Sequence, residues 1–313
     1  MTISANQLIS GSGTGLTTIS IYWRALVLAR KDIVACGDCV ELIDTLPDNS
    51  VDVVVTSPPY WGQRTSFGAG VEDDPREYIA FLTRVFAKIL LKLKPEGLVW
   101  INIGDAYNTP INWRYEDYEY SSLGHTNDGL SPSNSAYTKP RKNRKAFIDK
   151  GQNWLSYGNL LALPMRLIIS LCDEGYLFRG EVVWKKANPM PEGRCRRPHR
   201  AHEPIYLLSK TDQHRFRKSP PVKSVWEFAN ERGSGERHFS RFPKELPTRC
   251  IEAYGHLGND VVVLDPFSGS GTTGFAALDL GCSYVGFEID PAHAHNSNER
   301  LRAYSPRARL TAK

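Results

Sequence analysis

The run Val261-Val262-Val263-Leu264-Asp265 is almost wholly apolar, and it leads through Pro266-Phe267-Ser268-Gly269-Ser270-Gly271 into the apolar helical stretch Phe275-Ala276-Ala277-Leu278. A second apolar run over 284–287 follows and ends in Glu288. Strand, glycine turn, helix and strand form a βαβ unit, and a unit of this kind requires a parallel sheet. The fold class is therefore α/β.

The remainder of the chain fits the same scheme. Residues 33–36 read as a short strand, Gly37-Asp38 as a turn, 40–46 as a helix stopped by Pro47-Asp48, and 51–55 as a second strand. That strand runs into Ser57-Pro58-Pro59-Tyr60, where two prolines end pairing and fix an extended backbone. Ile79, Leu82, Val85, Phe86, Ile89 and Leu93 recur at helical spacing, Lys94-Pro95-Glu96-Gly97 stops that helix, and 98–103 is the next strand. Periodicity is lost between 106 and 152, an insertion rich in Tyr, Asn, Ser and Gly with a basic run through Lys139, Arg141, Lys142, Arg144 and Lys145. A helix over 163–171, a strand over 178–184, a basic loop over 185–200 and a strand over 204–208 complete the pattern. One domain over 32–304 is expected, with the insertion as a candidate region for contacting a partner. Flexible tails are expected at 1–31 and 305–313; the glycines at 11–15 have no preceding strand and read as tail rather than phosphate loop.

Two segments carry chemistry. Gly269-x-Gly271-x-x-Gly274 after a strand is a nucleotide-binding context, and a carboxylate placed like Glu288 suits ribose hydroxyls. The loop alone leaves a dinucleotide and S-adenosylmethionine equally open. Asp265 beside it favours the second, because a carboxylate suits a cationic cofactor better than a pyrophosphate. In Ser57-Pro58-Pro59-Tyr60, the Ser57 oxygen and a rigidly held prolyl carbonyl are acceptors for an amino group whose lone pair is delocalised into a ring. Tyr60 offers a flat face on which an extruded base stacks.

Bulk properties permit this reading without deciding it. The chain has 313 residues, 41% hydrophobic and 11% aromatic, enough to bury a large core. A formal net charge of +5 is compatible with a polyanionic partner but common without one. Six scattered cysteines read as reduced thiols; Cys36-x-x-Cys39 lacks the second pair of a zinc site, and His199 and His202 lack acidic or thiol companions, so no metal is expected. Without a membrane span or signal segment, the expectation is a soluble cytoplasmic protein.

With these residues in hand, the sequence resembles the amino-methylating DNA methyltransferases, in the permuted group, often called beta, whose catalytic tetrapeptide precedes the cofactor loop. Gly37-Asp38-Cys39, Ser57 to Trp61, Lys94-Pro95-x-Gly97, 179–185, His202-Glu203, Lys210, 238–243, Asp265 to Thr273 and 286–290 match its blocks in order, over about 32–301. The resemblance implies a Rossmann-like class I methyltransferase with a mostly parallel seven-stranded sheet and an antiparallel edge strand. It implies S-adenosyl-L-methionine as cofactor, bound by Asp38, His238, Phe242, Pro243, Asp265, Pro266, Phe267, Gly269, Gly271, Thr272, Glu288 and Asp290. Ser57, Pro58, Pro59 and Tyr60 become the catalytic segment, and Trp61, Arg141, Arg144, Lys185, Arg194, Arg196 and Arg197 the DNA contacts. Ser at the first tetrapeptide position implies cytosine N4 as the acceptor in double-stranded DNA, with adenine N6 as the alternative. A cognate restriction endonuclease and a monomeric or homodimeric state would accompany a bacterial, archaeal or phage-encoded enzyme of this kind. No cysteine follows a proline, which disfavours ring-carbon methylation of cytosine. An NAD-dependent oxidoreductase would leave Ser57 to Trp61 without a purpose, and an RNA or protein methyltransferase or a non-catalytic DNA-binding descendant are the remaining rivals.

Overall fold

The computed structural model describes residues 33–62, 68–108, 155–156, 158–189, 196–229 and 242–304. The expected tails, the insertion beyond residue 108 up to 152, and Arg141, Arg144, Arg194 and His238 lie outside the described residues.

Among the described residues eight strands form one sheet: β1 (Ile33–Cys36), β2 (Val51–Thr56), β3 (Leu93–Asn102), β4 (Leu177–Lys186), β5 (His202–Ser209), β6 (Val225–Phe228), β7 (Val262–Asp265) and β8 (Ser283–Glu288). Their order is β1-β8-β7-β2-β3-β5-β4-β6. Six helices are described: α1 (Cys39–Asp44), α2 (Pro75–Lys92), α3 (Leu163–Asp173), α4 (Glu245–Ala253), α5 (Thr272–Asp279) and α6 (Pro291–Ala303).

The α/β class and the mostly parallel sheet are as expected, with two differences of detail. The sheet has eight strands rather than seven, because the short β6 adds in parallel alongside β4. The reversed strand is β5, which pairs antiparallel with both β3 and β4 and so lies inside the sheet instead of at its edge. A further difference concerns Lys94 to Gly97. Leu93 already pairs with Val51, Val53 then pairs with Leu98, and the intervening residues form a bulge in β3 rather than a stop before it. Pro95 is tolerated there because a bulge does not ask for its missing N–H.

The chain divides into two compact units, Met1–Pro58 with Thr83–Ile103 and Ile168–Lys313, and Pro59–Leu82 with Gly104–Leu167. The first holds the whole sheet. Every residue of β2 and of β8 is buried, as expected for central parallel strands covered on both faces. Val53, Val54 and Val55 are fully enclosed, and each such side chain stabilises the fold by about 1.5–3 kcal/mol. On one face Val53, Val55, Trp100, Val263, Ala276 and Tyr284 join a single core cluster. At the amino end of β2 the buried Asp52 carboxylate accepts from Lys94 Nζ at 2.7 Å, Tyr254 OH at 3.0 Å and the Val262 amide at 2.9 Å, tying the start of β7 to β2. At the opposite end, β1, β8, β7, β2 and β3 all terminate along one edge. The chain leaves β7 toward β8 on one side and β2 toward β3 on the other, so the strand order reverses between β7 and β2, where open α/β sheets bind ligands.

Candidate active site

Asp265, the last residue of β7, lies on that edge and is almost fully enclosed, 1% exposed. Its Oδ1 accepts from Thr56 Oγ1 at 2.7 Å and from the Phe267 amide at 3.1 Å, and its Oδ2 accepts from Thr273 Oγ1 at 2.7 Å. Burial outweighs these bonds and pushes its carboxyl up to about 6 from the usual 3.8. No Lys or Arg among the described residues pairs with it.

Beyond Asp265 the loop turns through Gly269 at φ 52° and Gly271 at φ 80°, left-handed positions that favour glycine, and Gly271 caps α5 with no side chain over the helix start. Glu288, at the end of β8, anchors this loop. One carboxylate oxygen accepts from the Gly269 amide at 2.8 Å and the other from the Asp290 amide at 2.9 Å. Ser297 on α6 donates to the Gly269 carbonyl at 2.6 Å. Under the loop, Gly286 is held against Ser268 and Tyr284: a Cβ there would come within 2.5 Å of the Tyr284 hydroxyl. On the neighbouring strand end, exposed Asp38 caps α1 by accepting from the Val40 amide at 2.8 Å. Asp290 caps α6 through the Ala292 and His293 amides at 2.8 and 3.1 Å. Pro266 is buried, Phe267 and Thr272 are half-buried, and Phe242 packs on the core beside buried Pro243.

Ser57 follows the last residue of β2. Its hydroxyl donates to Asn102 Oδ1 at 3.5 Å, and the Asn102 amide nitrogen donates to Glu203 Oε2 at 3.2 Å and the Pro204 carbonyl at 3.0 Å. Glu203 in turn accepts from Lys186 Nζ at 2.5 Å. The first segment of the sheet-bearing unit ends at Pro58.

In the second unit the Pro59 carbonyl accepts from the hydroxyl of fully buried Tyr78 at 2.9 Å. Tyr60 is half-buried and its ring lies close against Gly104, where a Cβ would come within 2.5 Å of it. Gly70, at φ 90°, meets the Tyr60 backbone carbonyl so closely that a Cβ would sit at 2.8 Å. Trp61 corrects an expectation. It is buried, and its indole N–H donates to the Glu72 carbonyl at 3.0 Å, so it props the loop after the tetrapeptide instead of facing DNA. Tyr78, Gly104 and Gly70 escaped sequence reading because their only signal is proximity to Tyr60, which no spacing encodes.

The family model described as DNA methylase, for the N6 and N4 amino-methylating enzymes, matches residues 51–299. The chain belongs to this family. Among curated relatives of this DNA methylase, the type II methyltransferase M.XycI of Xanthomonas campestris pv. cyanopsidis is 32% identical over 281 residues, 85% of this chain and 86% of that protein. M.SmaI of Serratia marcescens is 33% identical over 290 residues, 87% of this chain and 91% of its own length. Two solved structures share the fold: PvuII DNA methyltransferase, described as cytosine-N4-specific, with TM-score 0.62, 20% identity and coverage of 88% and 89%, and a DNA modification methylase of Thermus thermophilus complexed with S-adenosyl-L-methionine, with TM-score 0.58, 23% identity and coverage of 86% and 92%.

The methylase uses S-adenosylmethionine, and the residues at the carboxyl edge fit that cofactor. Asp265, Glu288 and Asp290 gather carboxylates at the ends of β7 and β8, a donor set that attracts a sulfonium and hydroxyl groups and repels a pyrophosphate. Of the basic residues expected at DNA, Lys185 lies in β4, exposed, and pairs with Glu227 at 3.0 Å; Arg196 is exposed and Arg197 half-buried. Lys186, read as part of the same basic loop, belongs to β4 and is held by Glu203. No helix among the described residues is long and apolar enough to cross a membrane.

Proposed function

We propose that this DNA methyltransferase transfers the methyl group to the exocyclic N4 of a cytosine turned out of duplex DNA, as a site-specific enzyme. The observation that carries the reading is Ser57 at the head of the tetrapeptide, directly after β2 and one strand from the Asp265 loop, with its own proton directed to Asn102. A hydroxyl committed in this way offers its lone pairs to an incoming amino group. The Pro59 carbonyl accepts from Tyr78, and the Pro58 carbonyl, which follows Ser57 directly, serves as the second acceptor. Two acceptors draw the amino nitrogen out of conjugation toward tetrahedral geometry, and Tyr60 stacks on the extruded ring. The cofactor supplies an electrophilic methyl on a sulfonium. The residues themselves position the nucleophile, so no covalent base intermediate is needed.

In this proposal Asp265 balances the cofactor's positive charge, Glu288 takes its ribose hydroxyls and Asp38 borders its adenine, while His238, Phe242 and Pro243 close the methionine end. Lys185, Arg196 and Arg197, with Arg141, Arg144 and Arg194, hold phosphates. Similarity to type II methyltransferases supports a role beside a restriction endonuclease.

The test is incubation with methyl-labelled S-adenosylmethionine and duplex DNA, digestion to nucleosides and identification of the product by mass. N4-methylcytosine is expected, and Tyr60→Ala abolishes it while the cofactor still binds. N6-methyladenine would overturn the choice of base.

A further inference from the structure

Three residues behind Ser57 take no part in the transfer itself. Asn102 ends β3, 1% exposed; Glu203 lies near the start of β5 and Lys186 ends β4, both mostly enclosed. Three different strands thus bring Lys186 Nζ, the Glu203 carboxylate and the Asn102 amide into a single file that ends at the Ser57 hydroxyl, through contacts of 2.5, 3.2 and 3.5 Å.

The file has a direction. An amide side chain can face either way, and its neighbours decide which. The Asn102 nitrogen meets two acceptors, the Glu203 carboxylate and the Pro204 carbonyl. Reversing the amide would set its oxygen against both of them, leaving two repulsive contacts in a buried place. The oxygen must therefore point at Ser57, and an amide oxygen only accepts. Ser57 is obliged to donate, its single proton is engaged, and what remains free on Oγ is lone-pair density. Lys186 holds the Glu203 carboxylate in place through their ion pair.

We propose that Asn102, Glu203 and Lys186 are positioning residues that fix the Ser57 hydroxyl as an obligate acceptor for the target amino group. The inference rests on the proposed amino-methylating role of Ser57. The bond formed is between the amino nitrogen and the methyl carbon, and the bond broken is the one from that carbon to sulfur. The proton then shed by the methylated nitrogen goes to water, because neither a neutral amide nor a hydroxyl already donating holds it. The file orients and does not carry protons. Its long contact, Ser57 to Asn102, is the one expected to tighten when substrate arrives.

The experiment compares single-turnover methylation by wild type, Asn102→Ala, Ser57→Ala and the double variant, alongside calorimetric cofactor affinity for each. Wild-type methylation of a base amino group tests the proposed function on its own, before any variant is considered. Given that, Asn102→Ala is expected to slow the methyl-transfer step by about ten- to a hundredfold, the scale on which outer hydrogen bonds tune a site. Cofactor affinity stays within about twofold, and the loss vanishes in the Ser57→Ala background because Asn102 acts through Ser57. An undiminished loss in that background, or cofactor affinity falling in step with rate, overturns the proposal.

Three further variants guard against a fold that simply fails. Glu203→Gln retains an acceptor for the Asn102 nitrogen and is expected to keep more activity than Glu203→Leu at equal thermal stability; equal losses count against the proposal. N102D turns the middle of the file into a carboxyl beside Glu203. Protonated, it reproduces the amide pattern, and ionised, it is repelled. Its rate relative to wild type falls as pH rises from about 6 to about 9, whereas a ratio independent of pH overturns the assignment of direction.

Discussion

Asp265 and Asp52 are both buried aspartates of one sheet, and both accept three or more hydrogen bonds, yet they are opposites. Asp52, at the amino end of β2, is matched by Lys94 as well as by Tyr254 and the Val262 amide. Asp265, at the carboxyl end of β7, receives two hydroxyls and one amide, all neutral. The amino end is complete without any ligand. The carboxyl end carries a charge that the described residues do not balance, and its carboxyl rises to about 6. A buried group left electrostatically unfinished marks where a charged ligand is expected, and a finished one marks scaffold.

Asp265→Asn sharpens the contrast most. Thr273 already lies 3.4 Å from the Val55 carbonyl and can turn its proton there to receive the new amide, so the variant folds with its unfolding midpoint not lowered. Cofactor affinity, measured by calorimetry, falls about a hundredfold, close to 3 kcal/mol, the upper range of a charge-assisted contact. Unaltered affinity would erase the distinction between the two aspartates.

The pH dependence is next in size. The folded carboxyl at about 6 lies above its usual 3.8, so between those values the folded state binds more protons than the unfolded one. The stability this group contributes is present in full below about 4 and is lost as pH rises through about 6. The shift corresponds to on the order of 3 kcal/mol. Denaturant melts of cofactor-free protein should show Asp265→Asn gaining on wild type as pH rises from about 4 to about 7. Calorimetry in two buffers should show a proton released on cofactor binding near pH 6, because a cation favours the ionised form.

Asp52→Asn is the mirror experiment. The new amide keeps its oxygen for the Val262 backbone N–H and sets its nitrogen against the Lys94 ammonium, a donor facing a donor, so stability falls by about 1–3 kcal/mol in urea unfolding while cofactor affinity is unchanged. Smallest are the single hydrogen-bond deletions. Thr56→Val at Asp265 and Tyr254→Phe at Asp52 each cost about 1 kcal/mol, but only Thr56→Val should also weaken the cofactor. Equal effects of both on the cofactor would mean that the two aspartates do not differ in role.

The carboxyl end was also the more legible in sequence, because its residues cluster along the chain. Asp265, Gly269 and Gly271 follow one apolar strand, and Ser57 to Tyr60 follow another. Strands β1, β2, β7 and β8 declared themselves by mainly apolar runs, as parallel strands do. β6 did not, since in Val225-Trp226-Glu227-Phe228 only Trp226 is buried. Helix α6 was equally hidden: its buried face is Ala294, Ser297 and Leu301, too small and polar to mark a period. Among site residues, the Asn102 file and the Tyr78, Gly70 and Gly104 supports are contacts across long stretches of chain, to which hydrophobic pattern is blind. Trp61 misled because an aromatic beside a stacking tyrosine looks exposed until its N–H is found inside.

Asn298 of α6 lies at the far border of the same sheet. Its side-chain amide donates to the Val34 carbonyl at 2.7 Å and accepts from the Val34 amide at 3.0 Å, on the open flank of β1. That flank ends the sheet, and an unpaired strand is a template for a foreign one. One asparagine thus impersonates a ninth strand at a position where β1 would otherwise offer both its peptide groups to a stranger. The same helix that steadies the glycine loop through Ser297 also guards the molecule against adhesion to its own copies.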